Sequence, residues 1–277
     1  MKRMQGRRRI MKEKMNKIPV FYACDDNFVK YTMVSLQSMM DHASKEAQYE
    51  IHVLHTNISE EMQKKMHAME NANFSVQFDH VTEYLHSIQE KLPLRDYYSK
   101  TTYFRLFIAE MFPEIDKAIY IDSDTVVLGD IAQLYAYDLG DAYVGACKEQ
   151  VMIQEDVYGT DVEKVLGVER DNYFNAGMLA INCEQFRKNH VLEQFMELLP
   201  MYNFVVTQDE DYLNLICHNN FGHRICQSVD NCIIFINASD RKTKCSKALF
   251  RIDPSPHHSI ISVGKTKFFS CHLTNFR

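Results

Sequence analysis

Two aspartates spaced two residues apart, Asp122 and Asp124, follow the apolar run Lys117–Ile121. In an extended chain alternate side chains share one face, so these two carboxylates would lie side by side. Because like charges repel unless a cation neutralises them, the pair predicts a site for Mg2+ or Mn2+, which prefer oxygen ligands and can hold a diphosphate. The alternative is an ordinary turn, where Asp and Ser are both favoured.

Three further polar groups stand at positions where chemistry is plausible: Asp25–Asn27, Asn175–Gly177 and Asp209–Asp211. Carboxylate and amide side chains of this kind can form hydrogen bonds with polar groups of a ligand. Each group also has a structural alternative. Asp25 can cap a following helix, Asn-Ala-Gly can be a turn, and three acidic residues at a helix start can complement the helix dipole.

The elements that must position these residues follow from apolar patterning. Strands are predicted at six places: Ile18–Cys24, Tyr49–Thr56, Phe74–Val81, Lys117–Ile121, Tyr143–Lys148 and Phe174–Asn182. Helices are predicted over Phe28–His42, from Ser59, near Thr101–Met111, over Val191–Tyr202 and over Gln208–Cys217. This alternation predicts an α/β fold with a mainly parallel central sheet flanked by helices, in which ligands bind beyond the C-terminal ends of strands.

Composition narrows the class of protein. The chain has 277 residues, of which 46% are hydrophobic and 25% charged, as is typical of a folded globular protein. A net charge of -6 argues against a nucleic-acid partner, and no uncharged stretch is long enough to span a bilayer. Eight cysteines without a CxxC pair favour reduced thiols in a cytoplasmic protein.

The chain is predicted to form one domain, because no linker rich in Pro, Gly or Ser divides it. Residues 1–17 carry eight Lys or Arg against one Glu, which predicts a disordered basic leader able to touch an anionic membrane surface weakly. The domain is then residues 18–277. Its tail, residues 221–277, loses clear periodicity and is expected to be irregular.

Five segments in register resemble the retaining glycosyltransferases of family 8, which have the GT-A fold and include bacterial lipopolysaccharide glucosyl- and galactosyltransferases and the glycogenins. The segments are Val20–Phe28, Thr101–Leu106, Ile119–Asp124, Tyr173–Gly177 and Gln208–Asn214. They occur in the family's order and cover about residues 18 to 216. The resemblance implies a GT-A domain that binds a UDP-sugar.

The resemblance also implies roles for individual residues. Donor-binding roles fall on Ala23, Asp25, Asn27, Arg105, Ser123, Asn175, Ala176, Gly177 and Lys267. Metal ligation of Mn2+ or Mg2+ falls on Asp122, Asp124 and a histidine of the tail, taken as His258. Asp209 and Glu210 are implied to lie at the reacting face of the sugar. Glu210 occupies a position that is often Gln in relatives.

The tail departs from the family pattern, His-x-x-Gly-x-x-Lys-Pro-Trp. Gly264 and Lys267 keep their mutual spacing, but Ile261 stands where the histidine should be and Phe268–Phe269 replaces Pro-Trp. Three nearby histidines are candidates to substitute: His257, His258 and His272.

The predicted function is metal-dependent transfer of a hexose, glucose or galactose, from a UDP-sugar to a saccharide, glycan or glycolipid hydroxyl with retention. It fits lipopolysaccharide or polysaccharide synthesis at the cytoplasmic face of the inner membrane. Retention by front-face substitution and by double displacement through Asp209 or Glu210 both remain open. The rival is a catalytically weak or inactive sugar-nucleotide-binding protein, which the departures in the tail favour. A nucleotidyltransferase would need a Gly-rich phosphate loop where this chain has Asp-Asp-Asn.

Overall fold

A seven-stranded sheet runs through the part of the chain that this computed structural model describes, residues 17–88, 101–202, 207–222 and 233–235. The strands there are β1 (Lys17–Ala23), β2 (Gln48–His55), β3 (Phe74–His80), β4 (Lys117–Ile121), β5 (Thr125–Val127), β6 (Val144–Lys148), β7 (Phe174–Asn182), β8 (Phe221–Gly222) and β9 (Ile233–Phe235). The large sheet has the order β3-β2-β1-β4-β7-β6-β8, and β5 pairs separately with β9.

The directions of the strands decide which strand ends lie side by side. β1 pairs in parallel with β2 and β4, and β2 with β3, whereas β7 is antiparallel to both β4 and β6. The predicted α/β fold with a mainly parallel sheet is therefore confirmed, with β7 as the reversed strand. Because of this reversal the start of β7 lies beside the end of β4, where the Asp122 N–H donates to the Gly177 carbonyl at 2.8 Å.

Both faces of the sheet are buried. Along β1, Phe21 packs into the hydrophobic core on one face, whereas Val20 and Tyr22 pack into the core on the other. In β4, Tyr120 and Ile119 divide between the two cores in the same way. This two-sided burial explains why these strands have nearly continuous apolar sequences rather than alternating polar and apolar residues.

Helices cover the two faces. They are α1 (Val29–His42), α2 (Glu60–His67), α3 (Val81–Ile88), α4 (Ile108–Met111), α5 (Ile131–Ala136), α6 (Gln150–Gln154), α7 (Asp156–Asp161), α8 (Cys183–Lys188), α9 (Val191–Leu198) and α10 (Asp209–Cys217). Short 3-10 turns occur at Thr101–Phe107 and Arg170–Asn172, and a π turn at Val162–Leu166. The five predicted helices are present, although the segment near Thr101–Met111 is mostly 3-10 rather than α.

Local capping explains two helix starts. The Ser59 hydroxyl accepts from the Met62 N–H at the start of α2, with two glutamates in the first turn. Before α1, Asp25 Oδ1 accepts from the backbone N–H groups of Asn27 and Phe28. The capping alternative for Asp25 is thus realised in the structure.

The structure bears on two expectations about the whole chain, the reduced cysteines and the lack of a membrane-spanning segment. Cys24, Cys183 and Cys217 are buried free thiols, but Cys147 is disulfide-bonded, so the expectation of reduced thiols is wrong at that residue. None of the described helices combines the length and apolarity that crossing a bilayer requires. β1 begins at Lys17, and the rest of the predicted leader and most of the predicted tail lie outside the described residues.

The fully buried Asn214 fixes the acidic helix α10 against β7. Its side-chain oxygen accepts from the Phe174 N–H and its amide donates to the Phe174 carbonyl, both at 2.8 Å. A further bond runs from the amide to the Glu210 carbonyl at 3.0 Å. The side chain thus takes the place of a neighbouring strand at the first residue of β7.

Replacing Asn214 by Ala is expected to lower the free energy of unfolding by about 2–4 kcal/mol, because two buried backbone groups of Phe174 lose their partners. Urea unfolding measures this. The matched control is Asn189→Ala, whose side chain bonds only within its own turn, to Gln185. That variant should lose less than about 1 kcal/mol, and equal losses in the two variants would contradict the role given to Asn214.

Candidate active site

A polar cavity of about 330 Å3 lies where the end of β4, the start of β7 and the start of α10 meet. Its lining is Thr102, Arg105, Asp122, Asp124, Asn175, Ala176, Gly177, Thr207, Asp209 and Glu210. Eight of these ten residues carry predicted site roles, although they come from four separate segments of the sequence.

The Asp122–Asp124 segment is both a turn and part of the cavity wall. The chain leaves β4 at Ile121, and Ser123 and Asp124 form a turn before β5 begins at Thr125. The turn that the sequence offered as the alternative is therefore present, and the condition of an extended chain is not met. Both carboxylates nevertheless line the one cavity, because the turn, rather than strand alternation, brings them there.

Arg105 joins the elements around the cavity. Its guanidinium is buried, with only 4% of the side chain exposed, and it donates to Asp122 Oδ1 at 2.8 Å and pairs with Asp209 Oδ2 at 3.0 Å. It also donates to the Ala176 carbonyl and stacks over the Tyr120 ring at 4.2 Å. Burial alone would lower the pKa of Arg105, but Asp122 and Asp209 together raise it above its ordinary value. The fixed planar fork of an arginine suits this arrangement.

The 3-10 winding places two residues on the same side. In a helix with three residues per turn, side chains three apart in the sequence eclipse each other. Thr102 and Arg105 are so related, and both line the cavity. The Thr102 hydroxyl is buried and has no hydrogen-bond partner among the described residues.

Asp209 and Glu210 are buried in the first turn of α10, where negative charge complements the helix dipole. Burial raises the pKa of Asp209 to about 6, with Arg105 opposing and Asp122 reinforcing the change. Burial also raises the pKa of Glu210 well above its usual range, with Glu149 adding to it, although the Glu210 carboxyl accepts from the Ala176 N–H at 2.7 Å. Before this helix, Gln208 has a φ of 50°, a left-handed conformation that is strained for a residue with a side chain.

Asn175 lies within β7 rather than in a turn before it. Its side-chain oxygen accepts from the Gly177 N–H at 2.9 Å and its amide donates to Glu149 Oε2 at 2.6 Å. The turn alternative for Asn-Ala-Gly is therefore wrong. Glu149 is absent from the predicted site, because nothing in the sequence links a residue after β6 to one in β7.

The predicted nucleotide contacts lie beside the cavity rather than in its wall. Ala23 ends β1, and its carbonyl accepts from the Ser123 hydroxyl at 3.3 Å, which puts the end of β1 against the turn after β4. Asp25 is half-buried and Asn27 exposed. The Ser123 side chain is buried and bonds inward, to Ala23 and Thr32. His258 and Lys267 lie outside the described residues.

A divalent cation fits the carboxylates of Asp122 and Asp124. Burial and the charge of Asp122 raise the pKa of the Asp124 carboxyl to about 6, so the pair is a partly buried like-charge arrangement that a cation would relieve. Hard oxygen donors suit Mg2+ or Mn2+. The described part of the chain contains no group of three His, Cys, Asp or Glu residues disposed to hold a metal, so further ligands would have to come from elsewhere.

Comparisons with known proteins agree with this geometry. The sequence profile of glycosyl transferase family 8 matches residues 19–241. A Haemophilus influenzae protein assigned to the glycosyltransferases is 30% identical over 200 residues, which are 72% of this chain and 58% of that protein. The lipopolysaccharide 1,2-glucosyltransferase of Escherichia coli is 25% identical over 229 residues, 79% of this chain and 63% of that enzyme. The chain thus spans less than two thirds of the length of these two relatives.

A solved structure is similar to most of this chain. The galactosyltransferase LgtC, in complex with donor and acceptor sugar analogues, superposes with a TM-score of 0.61 at 27% identity, covering 74% of this chain and 73% of that one. The fold is therefore that of the GT-A glycosyltransferases.

In metal-free protein, Asp124→Asn is expected to stabilise the fold at pH 7–8. The folded pKa of about 6 lies above the ordinary value of 3.8, so ionisation of Asp124 opposes folding above about pH 6, and this penalty disappears below about pH 4. Since part of the side chain meets solvent, the gain should be about 1–2 kcal/mol rather than the full value of the shift. Urea unfolding in EDTA at pH 4 and pH 8 measures it.

The control is Asp26→Asn, for which the sign is opposite. Hydrogen bonds from Ser59 lower the pKa of the exposed Asp26 carboxyl, so its contribution to stability is present at neutral pH and is lost on acidification. Asp26→Asn should therefore destabilise the fold at pH 8 and also at pH 4, because pH 4 still lies above the ordinary pKa of 3.8 and the contribution is lost only on further acidification. A matching loss of stability in Asp124→Asn at pH 8 would contradict the like-charge description of the cavity.

Proposed function

Since this chain belongs to glycosyl transferase family 8, we propose that it transfers a hexose, glucose or galactose, from a UDP-sugar to a saccharide or glycan hydroxyl, with retention and with help from a divalent metal. The main support for this proposal is that one cavity holds two pairs of acidic residues, Asp122 with Asp124 and Asp209 with Glu210. Arg105 lies between the two pairs. The names of the Escherichia coli glucosyltransferase and of LgtC, solved with donor and acceptor analogues, support this substrate class.

Asp122 and Asp124 would hold the metal, Mn2+ or Mg2+, and His258 is the proposed histidine ligand from the tail. When bound, the metal would supply positive charge to the diphosphate of the leaving UDP. Arg105 fixes the orientation of Asp122, since its Nη2 group and the Tyr120 hydroxyl both bond to Asp122 Oδ1, at 2.8 and 3.0 Å. The second carboxylate oxygen of Asp122, Oδ2, is then left for other partners.

The uridine end of the donor is proposed to lie over the end of β1. Asp25 and Asn27 stand there, and the Ser123–Ala23 bond brings this strand end against the Asp122–Asp124 turn. The small side chain of Ala23 would let the uridine lie close to the backbone. Lys267 is proposed to approach the diphosphate from the tail as a point charge.

The hexose is proposed to occupy the far side of the cavity, against β7 and α10. Glu149 and Gly177 together fix the amide of Asn175, which leaves one N–H and one lone pair for sugar hydroxyls. Ala176 presents only a methyl group, and both its peptide groups are engaged, its N–H by Glu210 and its carbonyl by Arg105. This wall is therefore rigid and close to the backbone.

The two acidic residues of α10, Asp209 and Glu210, differ in how far the pKa of the carboxyl group is raised, and this difference suggests different roles. Burial raises the pKa of Glu210 strongly, which favours its neutral form, and a neutral acid is a poor nucleophile. Asp209, with a pKa of about 6 and Arg105 as its counterion, is ionised at neutral pH. A double displacement would therefore use Asp209, whereas front-face displacement needs only that both residues stabilise charge and position the sugar.

Wild-type protein is expected to release UDP from UDP-glucose or UDP-galactose in Mn2+ and not in EDTA, and Asp124→Ala should abolish both this reaction and the metal-dependent binding of UDP. The physical reason is that the diphosphate loses its bridging cation. Product assay and calorimetry measure the two effects. If wild type binds UDP in Mn2+ but releases none from any UDP-sugar, the inactive sugar-nucleotide-binding alternative is correct. Equal UDP binding by Asp124→Ala in EDTA and by wild type in Mn2+ would refute the metal role.

Asn175→Ala is expected to lower the rate of transfer at least tenfold while changing UDP affinity less than about threefold, because its amide faces the sugar and not the nucleotide. Steady-state kinetics with UDP-sugar and calorimetry with UDP separate the two effects. Asn189→Ala, outside the cavity, is the control and should change neither. Equal losses in rate and in UDP affinity would remove Asn175 from the sugar subsite.

A further inference from the structure

We propose that α1 acts as a support for the Asp122–Thr125 turn: Thr32 and Ser35 are positioning residues that hold it through buried hydroxyl groups. This inference rests on the proposed function only in giving the turn a role in UDP binding. The contacts themselves do not depend on it.

The first link holds Ser123. Thr32 Oγ1 donates to Ser123 Oγ at 2.8 Å, and Ser123 Oγ donates to the Ala23 carbonyl at 3.3 Å. Thr32 is completely buried and Ser123 is 6% exposed. Because the middle side chain of the turn is fixed inward toward α1, the carboxylates on either side of it, Asp122 and Asp124, are left to line the cavity.

The second link holds the carbonyl of Asp122. Thr125 Oγ1 donates to it at 2.9 Å, Ser35 Oγ lies 2.9 Å from Thr125 Oγ1, and the Tyr22 hydroxyl lies 3.0 Å from Ser35 Oγ. A hydroxyl has one proton to give. Since Thr125 gives its proton to Asp122, Ser35 must donate to Thr125 and Tyr22 to Ser35. The chain of bonds therefore has one direction, ending on the turn.

A third contact continues the same face of α1. Ser38 Oγ accepts from the Val127 N–H at 2.9 Å, just beyond the turn. Thr32, Ser35 and Ser38 are three residues apart and so lie along one side of the helix. The other buried side chains of α1 are apolar: Val29, Leu36 and Met39. Hydroxyl groups thus stand where the helix faces the turn and β5.

Stability alone does not account for this pattern. A buried hydrogen bond contributes little net stability, and replacing both of its partners by apolar groups of the same shape can be nearly neutral or even stabilising. A hydrogen bond is directional, however, whereas apolar contact lets a loop slide. The two carboxylates repel each other when the cavity holds no cation, so directional bonds are what would keep the turn in one geometry.

The test compares substitutions that remove the hydroxyl with substitutions that keep it. Thr32→Val and Thr125→Val keep the shape of the side chain but lose the hydroxyl. Thr32→Ser and Thr125→Ser keep the hydroxyl but lose a buried methyl group, so they separate the loss of packing from the loss of the hydrogen bond. Tyr49→Phe is the control, since Tyr49 has a hydroxyl bonded to Asp130, away from the turn.

Three measurements are made on each full-length variant: UDP affinity in Mn2+ by calorimetry, urea unfolding, and amide hydrogen exchange of residues 122–125 without metal. The Val variants should bind UDP about five- to tenfold more weakly, as loss of one net hydrogen bond implies, and exchange faster in the turn. The Ser variants should stay within about threefold of wild type in both, and Tyr49→Phe should match wild type.

If the affinity losses and turn exchange of the variants follow their loss of stability, with Ser variants as impaired as Val variants, the positioning role is refuted. If wild type binds no UDP in Mn2+, the proposed function fails, but the exchange measurement in metal-free protein still decides whether α1 holds the turn. Faster exchange confined to the Val variants supports the inference, and unchanged exchange in them overturns it.

Discussion

The buried ion pairs of Arg105 are the interaction on which the rest of the site depends. One guanidinium joins Asp122 after β4, Asp209 at the start of α10 and the Ala176 carbonyl in β7. Removing one partner of such a buried pair would leave an uncompensated charge, which is strongly destabilising. A lysine could not replace the arginine, because a single ammonium lacks the planar fork that reaches several acceptors at fixed angles. The buried contacts of Arg105 therefore fix the geometry of the cavity.

The same cavity holds more acidic groups than basic ones. Among its lining residues four carboxyl groups face one guanidinium, and burial raises the pKa of both Asp124 and Asp209 to about 6. Such a site is stable only because its surroundings fix it: Asn214 anchors α10 to β7, and the hydroxyl groups of α1 reach the turn after β4. Strongly shifted pKa values among groups held in a well-packed cleft are typical of functional sites.

Much of the fold could be predicted from the sequence because it depends on local patterns. Buried β-branched and aromatic runs predicted β4 and β7 to the residue, and the Ser59 cap with its two glutamates predicted the start of α2. What local patterns could not give was strand direction and helix type. The reversal of β7 depends on pairing between residues about sixty positions apart. The residues of Thr101–Phe107 carry no local pattern that distinguishes 3-10 winding from an α-helix.

The sequence by itself determined which residues are candidates for the chemistry: the acidic pair at Asp122 and Asp124, Arg105, Asn175 and the acidic start of α10, because residue types and their order can be read directly from the chain. Only the tertiary structure decided how they meet. The turn rather than an extended strand brings the two aspartates to one cavity. Glu149, which follows β6, orients Asn175, and Thr102 and Thr207 join the cavity wall. These relations are contacts between segments far apart in the sequence, and hydrogen-bond geometry and burial, which fix them, exist only once the chain has folded.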